Sequence, residues 1–163
     1  MPMQTHPQNT EKLDLYLSLG SNQGDRKQNL EDAISCLNIE LKKPYKAVST
    51  FIETQPWGFE SDEKFMNAVV LYELDMPVGY NAEAEALMIL EICKDIERRL
   101  GRSGVPQYDE KGERIYTSRP IDIDILLFGE NRIECEELTV PHKHMYERDF
   151  VMIPLNEIND KLK

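Results

Sequence analysis

The 163-residue chain has no apolar run longer than about half a dozen residues, which excludes a transmembrane helix and leaves nothing to serve as the apolar part of a secretory leader. A cytoplasmic protein is expected. Positive charge is in short supply: 19 Lys and Arg stand against 30 Asp and Glu, a net charge of -11. This argues against a nucleic-acid binder, which needs a basic face to neutralise phosphates. A nucleotide site is not excluded, since it needs only a local basic cluster. Cysteine is scarce as well. Cys36, Cys93 and Cys135 are odd in number, widely separated and in no metal-like spacing. Cys36 and Cys93 lie in helical apolar patterns and read as small buried hydrophobes. What remains, 40% apolar and 30% charged residues, is the composition of a soluble globular protein. The polar stretch Met1 to Lys12, with Pro2 and Pro7, reads as a flexible tail, followed by a single domain over 13–163.

The chemistry centres on Tyr116-Thr117-Ser118-Arg119-Pro120-Ile121-Asp122-Ile123-Asp124-Ile125-Leu126-Leu127. From Ile121 the pattern alternates, with Ile121, Ile123, Ile125 and Leu127 on one side and Asp122 and Asp124 on the other, the period of a strand. The two carboxylates then share a face, roughly 7 Å apart at the backbone. Anions held that close repel unless a cation sits with them. Magnesium prefers carboxylate oxygens and keeps several waters, so two carboxylates plus substrate phosphates suffice for it. Arg119, just before the strand, brings a planar phosphate clamp to the same edge. The plainer reading is a half-exposed strand with a solvated acidic face, against which stands the low preference of Asp for strands.

Leu13 to Leu19 alternates and predicts a strand. It runs into Gly20-Ser21-Asn22-Gln23-Gly24-Asp25, either a plain turn or a loop offering N–H groups to an anion. The Gly-Lys-Ser/Thr ending of a Walker loop is missing. Leu30, Ala33, Ile34, Leu37 and Leu41 predict a helix from Asp25 to Leu41. Ala47 to Thr54 and Phe65 to Leu74 predict strands, the second apolar on both faces and therefore central. The loop between them carries the only tryptophan, Trp57, which either stacks on a flat ligand or tucks under its own turn.

A long helix is predicted from Pro77, with Ala82, Ala86, Ile89, Cys93, Ile96 and Leu100 as its core stripe and Gly101 at its end. Arg98, Arg99 and Arg102 there either complement the helix dipole or reach a polyphosphate. The segment from Arg102 to Arg119 predicts a hairpin turning near Gly112, its basic residues suited to a lid over phosphates. Further on, His142 and His144 with two Asp make one candidate transition-metal site. In the other reading, His142, Lys143 and Arg148 form a second basic edge that neutralises a triphosphate. Val151 to Ile158 is a short apolar finish that packs on the core.

In this order the segments resemble the 6-hydroxymethyl-7,8-dihydropterin pyrophosphokinase (HPPK) family over nearly all of residues 13 to 158. The resemblance rests on Arg119-Pro120-Ile121-Asp122-Ile123-Asp124-Ile125-Leu126, with Leu19-Gly20-Ser21-Asn22, Thr54-Gln55-Pro56-Trp57-Gly58, Phe65-Met66-Asn67-Ala68, Leu100-Gly101-Arg102 and Leu138-Thr139-Val140-Pro141-His142 in support, and Arg148 and Phe150 downstream. It implies an α+β, ferredoxin-like fold: a mostly antiparallel sheet with flanking helices chiefly on one face. Three mobile active-site loops are implied, Gly20 to Asp25, Gln55 to Lys64 and Arg102 to Arg119.

The implied activity is a magnesium-dependent transfer of pyrophosphate from ATP to the hydroxymethyl group of the pterin, giving AMP, in folate biosynthesis. Asp122 and Asp124 would bind two Mg²⁺ ions and, with Arg102 and Arg119, form the catalytic set. Arg102, Tyr116, Arg119, Ile125, Thr139, His142, Lys143 and Arg148 would contact ATP, with Ile125 and Thr139 by the adenine. Thr54, Gln55, Trp57, Phe65, Asn67 and Phe150 would line the pterin pocket. The implied partners are these two substrates, with neither nucleic acid nor membrane, and the protein is expected to be a monomer. The chain departs from the family pattern at Tyr116, where a tryptophan is common, at Glu137, where an arginine is expected, at Lys143, where an aromatic is usual, and in a longer loop after Arg102.

Two other classes share some of these features. A metal-dependent phosphohydrolase would use the same Asp pair with water as nucleophile. A non-catalytic interaction module would tolerate Asp122→Asn.

Overall fold

The computed structural model describes residues 9–54, 64–101, 107–108, 110–112, 114–115 and 120–159. In chain order the elements are β1 (Thr10–Ser21), α1 (Arg26–Glu40), β2 (Ala47–Val48), β3 (Ile52–Thr54), β4 (Phe65–Pro77), α2 (Ala82–Arg99), β5 (Gln107–Tyr108), β6 (Arg114–Ile115), β7 (Asp122–Phe128), β8 (Ile133–Glu134), β9 (Thr139–Val140) and α3 (Asp149–Ile158), with one 3-10 turn over Met145–Glu147. The main sheet runs β2-β4-β1-β7, with β3 also paired to β4, and every pairing in it is antiparallel. Its centre is the long ladder between β1 and β4, in register from Thr10 opposite Pro77 to Ser21 opposite Met66.

Each face of the sheet is buried because each has its own set of alternate apolar residues. Leu13, Leu15, Leu17 and Leu19 pack with Ala68, Val70 and Tyr72 against Leu30, Ala33 and Leu37 of α1 and Ala86, Ile89, Cys93 and Ile96 of α2. On the other face Tyr16, Val69, Leu71 and Leu126 pack against Val151 and Leu155 of α3. The architecture is thus the expected α+β, mostly antiparallel, ferredoxin-like one, with two helices on one face and a third on the other. None of the helices among the described residues is long and apolar enough to cross a membrane.

Several boundaries differ from the sequence reading, and β1 begins at Thr10, inside the stretch expected as a tail up to Lys12. Pro77 closes β4 instead of opening α2. The helix starts only after Gly79, whose φ of 83° makes the turn, and is capped by Asn81, whose side chain accepts from Ala84 N at 3.0 Å. The strand expected over Ala47 to Thr54 is split at Ser49, whose Oγ accepts from Val69 N at 2.9 Å in place of a backbone carbonyl.

In β7, Leu17 pairs with Ile125 but Tyr16 with Leu127, so Leu126 is an extra, bulged residue. The alternation therefore ends at Ile125: Leu126 and Leu127 both turn to the α3 side, and Phe128 takes the place expected for Leu127. The hairpin expected near Gly112 is present in the pairing of Gln107 with Ile115 and Tyr108 with Arg114, with Gly112 at φ 80°.

The expected loop Gln55 to Lys64, apart from Lys64, lies outside the described residues, as does most of Arg102 to Arg119. The Gly20 to Asp25 segment is tied to the start of α1 by side-chain hydrogen bonds. Asp25 caps α1 by accepting from Gln28 N at 3.1 Å, and Asn29 Nδ2 donates to Ser21 Oγ and Gln23 O.

Candidate active site

Strand β7 turns Ile121, Ile123 and Ile125 into the core, so Asp122 and Asp124 share the opposite face, both half-buried. Asp122 is paired with Gly20 of β1, and Gly20 with Asn67 of β4. Directly paired residues of an antiparallel ladder send their side chains to the same face. A carboxylate, a bare backbone and a carboxamide therefore stand in one row across three strands. A Cβ on Gly20 would lie 2.8 Å from Asn67 Oδ1 and 3.5 Å from Phe65 Cδ1. The glycine thus opens a notch with an amide oxygen over it, an aromatic ring beside it and a carboxylate at its far side. Asn67, only 3% exposed, donates from Nδ2 to Thr54 Oγ1 at 2.5 Å, which holds the amide in place. Such a notch suits a flat heterocycle with an amide-like edge, because Asn both donates and accepts.

The segment after β9 brings the second group of residues to the free side of β7. His142 N donates to Leu126 O at 3.0 Å, which lays this segment beside the strand. His144 N donates to His142 Nδ1 at 3.3 Å, so the neutral ring carries its proton on Nε2 and offers an N–H donor. Burial, followed by the Arg148 guanidinium and His144, holds the His142 imidazole below its usual pKa, while Asp122 acts in the opposite direction. In the chain without nucleotide His142 therefore offers a neutral N–H donor beside Lys143 and Arg148. Lys143 is exposed. Arg148, at the head of α3, holds its guanidinium carbon 5.6 Å from the centre of the Phe150 ring. A cation at the positive end of a helix dipole is unfavourable in itself, and an anion shared with the helix N-terminus reverses that.

Several residues fall elsewhere than the sequence reading placed them. Ile125 is 2% exposed in the main core, so only its main chain is left to border a nucleotide. Thr139 is exposed on β9. Arg99 pairs with Glu40 and Asp95, and Arg98 with Asp95, which is the plain helix-end reading rather than a polyphosphate contact. Among the described residues no group of three or more His, Cys, Asp or Glu side chains is arranged to hold a metal, so the His142 and His144 transition-metal reading has no ligand set. A pair of carboxylates on one strand face fits the other donor set: oxygen ligands for a hard cation that keeps waters and phosphate oxygens. Gln55, Trp57, Arg102, Tyr116 and Arg119 lie outside the described residues. The sequence reading missed Gly20 as a shaping residue and took it for the start of a turn. Its position near the end of an apolar alternating strand was the signal, since glycine inside a strand often marks a close approach.

The model of the 7,8-dihydro-6-hydroxymethylpterin-pyrophosphokinase family matches residues 16–160. Among curated proteins, the chain is similar to the 2-amino-4-hydroxy-6-hydroxymethyldihydropteridine pyrophosphokinase of Porphyromonas gingivalis, 41% identical over 88% of this chain and 89% of the relative. The protein of that name from Bacillus subtilis is 38% identical, with 88% and 76% covered, and that from Haemophilus influenzae 31% identical, with 90% and 82% covered. The notch, the acidic pair and the donors beside them therefore have a family context: this chain is a member of the 7,8-dihydro-6-hydroxymethylpterin-pyrophosphokinase family.

Proposed function

We propose that Asp122 and Asp124 hold two Mg²⁺ ions against ATP, and that Gly20, Phe65 and Asn67 receive the pterin beside them. The chain catalyses the pyrophosphokinase step of folate biosynthesis: the pyrophosphoryl group of ATP passes to the hydroxymethyl oxygen of 6-hydroxymethyl-7,8-dihydropterin and AMP leaves. The observation that carries the residue assignment is the row Asp122, Gly20, Asn67. It sets a candidate metal ligand and a candidate pterin-recognition amide on either side of a residue without a side chain.

Magnesium, when bound, neutralises triphosphate oxygens and leaves the β-phosphorus open to attack. The protein's part is positioning and charge. Asn67 accepts from and donates to the amide edge of the pterin, Thr54 holds Asn67, and Phe65 and Phe150 enclose the ring, with Gln55 and Trp57 assigned to the same pocket. This aims the hydroxymethyl oxygen at the Asp122 side of the notch. As its bond to the β-phosphorus forms and the bond from that phosphorus to the α-phosphate oxygen breaks, the hydroxyl proton passes to the carboxylate of Asp122 or Asp124. The neutral His142 donates from Nε2 to a phosphate oxygen, and Arg148 and Lys143 supply positive charge. Arg102 and Arg119 take the charge that grows on the departing AMP, with Tyr116, Thr139 and the Ile125 main chain at the nucleoside. The chain works as a cytoplasmic monomer with one catalytic domain, which β1 opens at Thr10 rather than at Leu13, and needs neither nucleic acid nor membrane.

The test is incubation with Mg²⁺, ATP and the pterin. Wild-type protein is expected to give AMP and pterin diphosphate in equal amounts, and D122N and D124N to lose this by at least about 10³-fold. ATP consumption that is indifferent to the pterin would mean a hydrolase instead.

A further inference from the structure

Glu97 is buried, 6% exposed, on the face of α2 that meets β7. A buried carboxylate costs free energy unless its oxygens are hydrogen-bonded. One of them, Oε2, accepts from Ile123 N at 2.9 Å. Ile123 is the residue between Asp122 and Asp124. Among the described residues β7 pairs within the main sheet with β1 alone, so there its other side draws on acceptors and donors from outside the sheet. Among the described residues Ile123 N is met there by Glu97, and Leu126 O by His142 N. Asp124 lies between them. The Cys93 thiol is pushed up by burial and then by the charges of Glu97 and Asp124.

We propose that Glu97 is a positioning residue for the metal-binding pair: through the Ile123 N–H it fixes the backbone from which Asp122 and Asp124 project. This rests on the assignment of that pair as the magnesium ligands. A strand edge without the Glu97 bond is free to twist about its neighbours. Two carboxylates that must grip ions together then lose their common direction. Outer contacts of this kind typically change metal affinity by about 10- to 100-fold.

The test separates reach from charge. E97Q keeps an oxygen at the same reach and removes the charge; E97D keeps the charge and shortens the reach by one carbon. Mn²⁺ binding to the full chain, with a non-hydrolysable ATP analogue present, is read by electron paramagnetic resonance, and folding by circular dichroism. E97Q is expected to bind Mn²⁺ within about threefold of wild type and E97D at least about tenfold more weakly. Should E97D fail to fold, E97A is used with the expectation given for E97D. Wild-type Mn²⁺ affinity in a folded E97D or E97A, or a loss in E97Q as large as in E97D, overturns the positioning role. D122N is measured alongside: if it binds Mn²⁺ as wild type does, the metal assignment itself is wrong, whatever Glu97 does.

Discussion

Gly20 and Asn67 face each other across the β1–β4 ladder so closely that a Cβ on Gly20 would stand 2.8 Å from Asn67 Oδ1. Asn67 is buried and tied to Thr54 Oγ1, so it has little room to give way. We expect G20A to cost about 1–3 kcal/mol of stability, the range for overpacking a tight site. We also expect it to raise the KM for the pterin by at least about tenfold, as suits a displaced hydrogen-bonding group. Binding of a Mg²⁺-loaded ATP analogue should stay near wild type. Calorimetry with each ligand separately checks this; equal losses for both would place the notch outside pterin recognition.

Glu157, near the end of α3, accepts from both Thr50 N, at 3.0 Å and 3.1 Å to its two oxygens, and Thr50 Oγ1, at 2.8 Å. This clasp joins α3, which begins at Phe150's end of the site, to the break between β2 and β3, four residues before Thr54. Both partners are exposed, so the clasp is worth about 1 kcal/mol. E157A should lower Tm by roughly 2–5 °C in a thermal melt. An unchanged Tm would mean that water replaces the clasp at no cost.

The stability of the chain should fall in mild acid partly through His142. Its folded pKa lies below the unfolded value, chiefly through burial, so the folded state binds that proton less readily than the unfolded one. The stabilising contribution is complete above about pH 6.5, the unfolded value, and is lost as pH drops below it. Denaturant melts at pH 7.5 and pH 5.5 should differ less for H142N than for wild type, and a proton NMR titration should give a His142 midpoint below that of the unfolded chain. A triphosphate bound nearby favours the charged ring, so a nucleotide analogue should move the midpoint upward.

Cys93 should be inert in the native protein. Its thiol is fully buried, and burial with the charges of Glu97 and Asp124 disfavours the thiolate. Alkylation followed by peptide mass analysis should mark the half-buried Cys36 and Cys135 first, and Cys93 only on unfolding. Early labelling of Cys93 would show that α2 lifts from the sheet.

Some of this was legible from residue order, and the limits have physical causes. The helical stripe Ala86, Ile89, Cys93, Ile96 and the alternation Leu13 to Leu19 were readable because burying one face of an element imposes its period on the chain. Pro77 was misassigned because proline suits both the first turn of a helix and the end of a strand, and the cap at Asn81 decided between them. The bulge at Leu126 was invisible because Leu126 and Leu127 are both apolar, so either could have continued the pattern. The lowered basicity of His142 was not readable, because its burial depends on segments distant in the chain.

By itself the sequence determined that Asp122 and Asp124 would share a face, because side chains on a strand repeat every two residues wherever that strand lies. It also determined two amphipathic helices, because their apolar residues recur at helical spacing. Only the tertiary structure decided what stands across from those carboxylates: the empty position at Gly20, the amide of Asn67 beyond it and the buried Glu97 behind. Those neighbours come from strands and helices far apart in the chain, and their register is set by how two cores fill on opposite faces of one sheet, which no local period encodes.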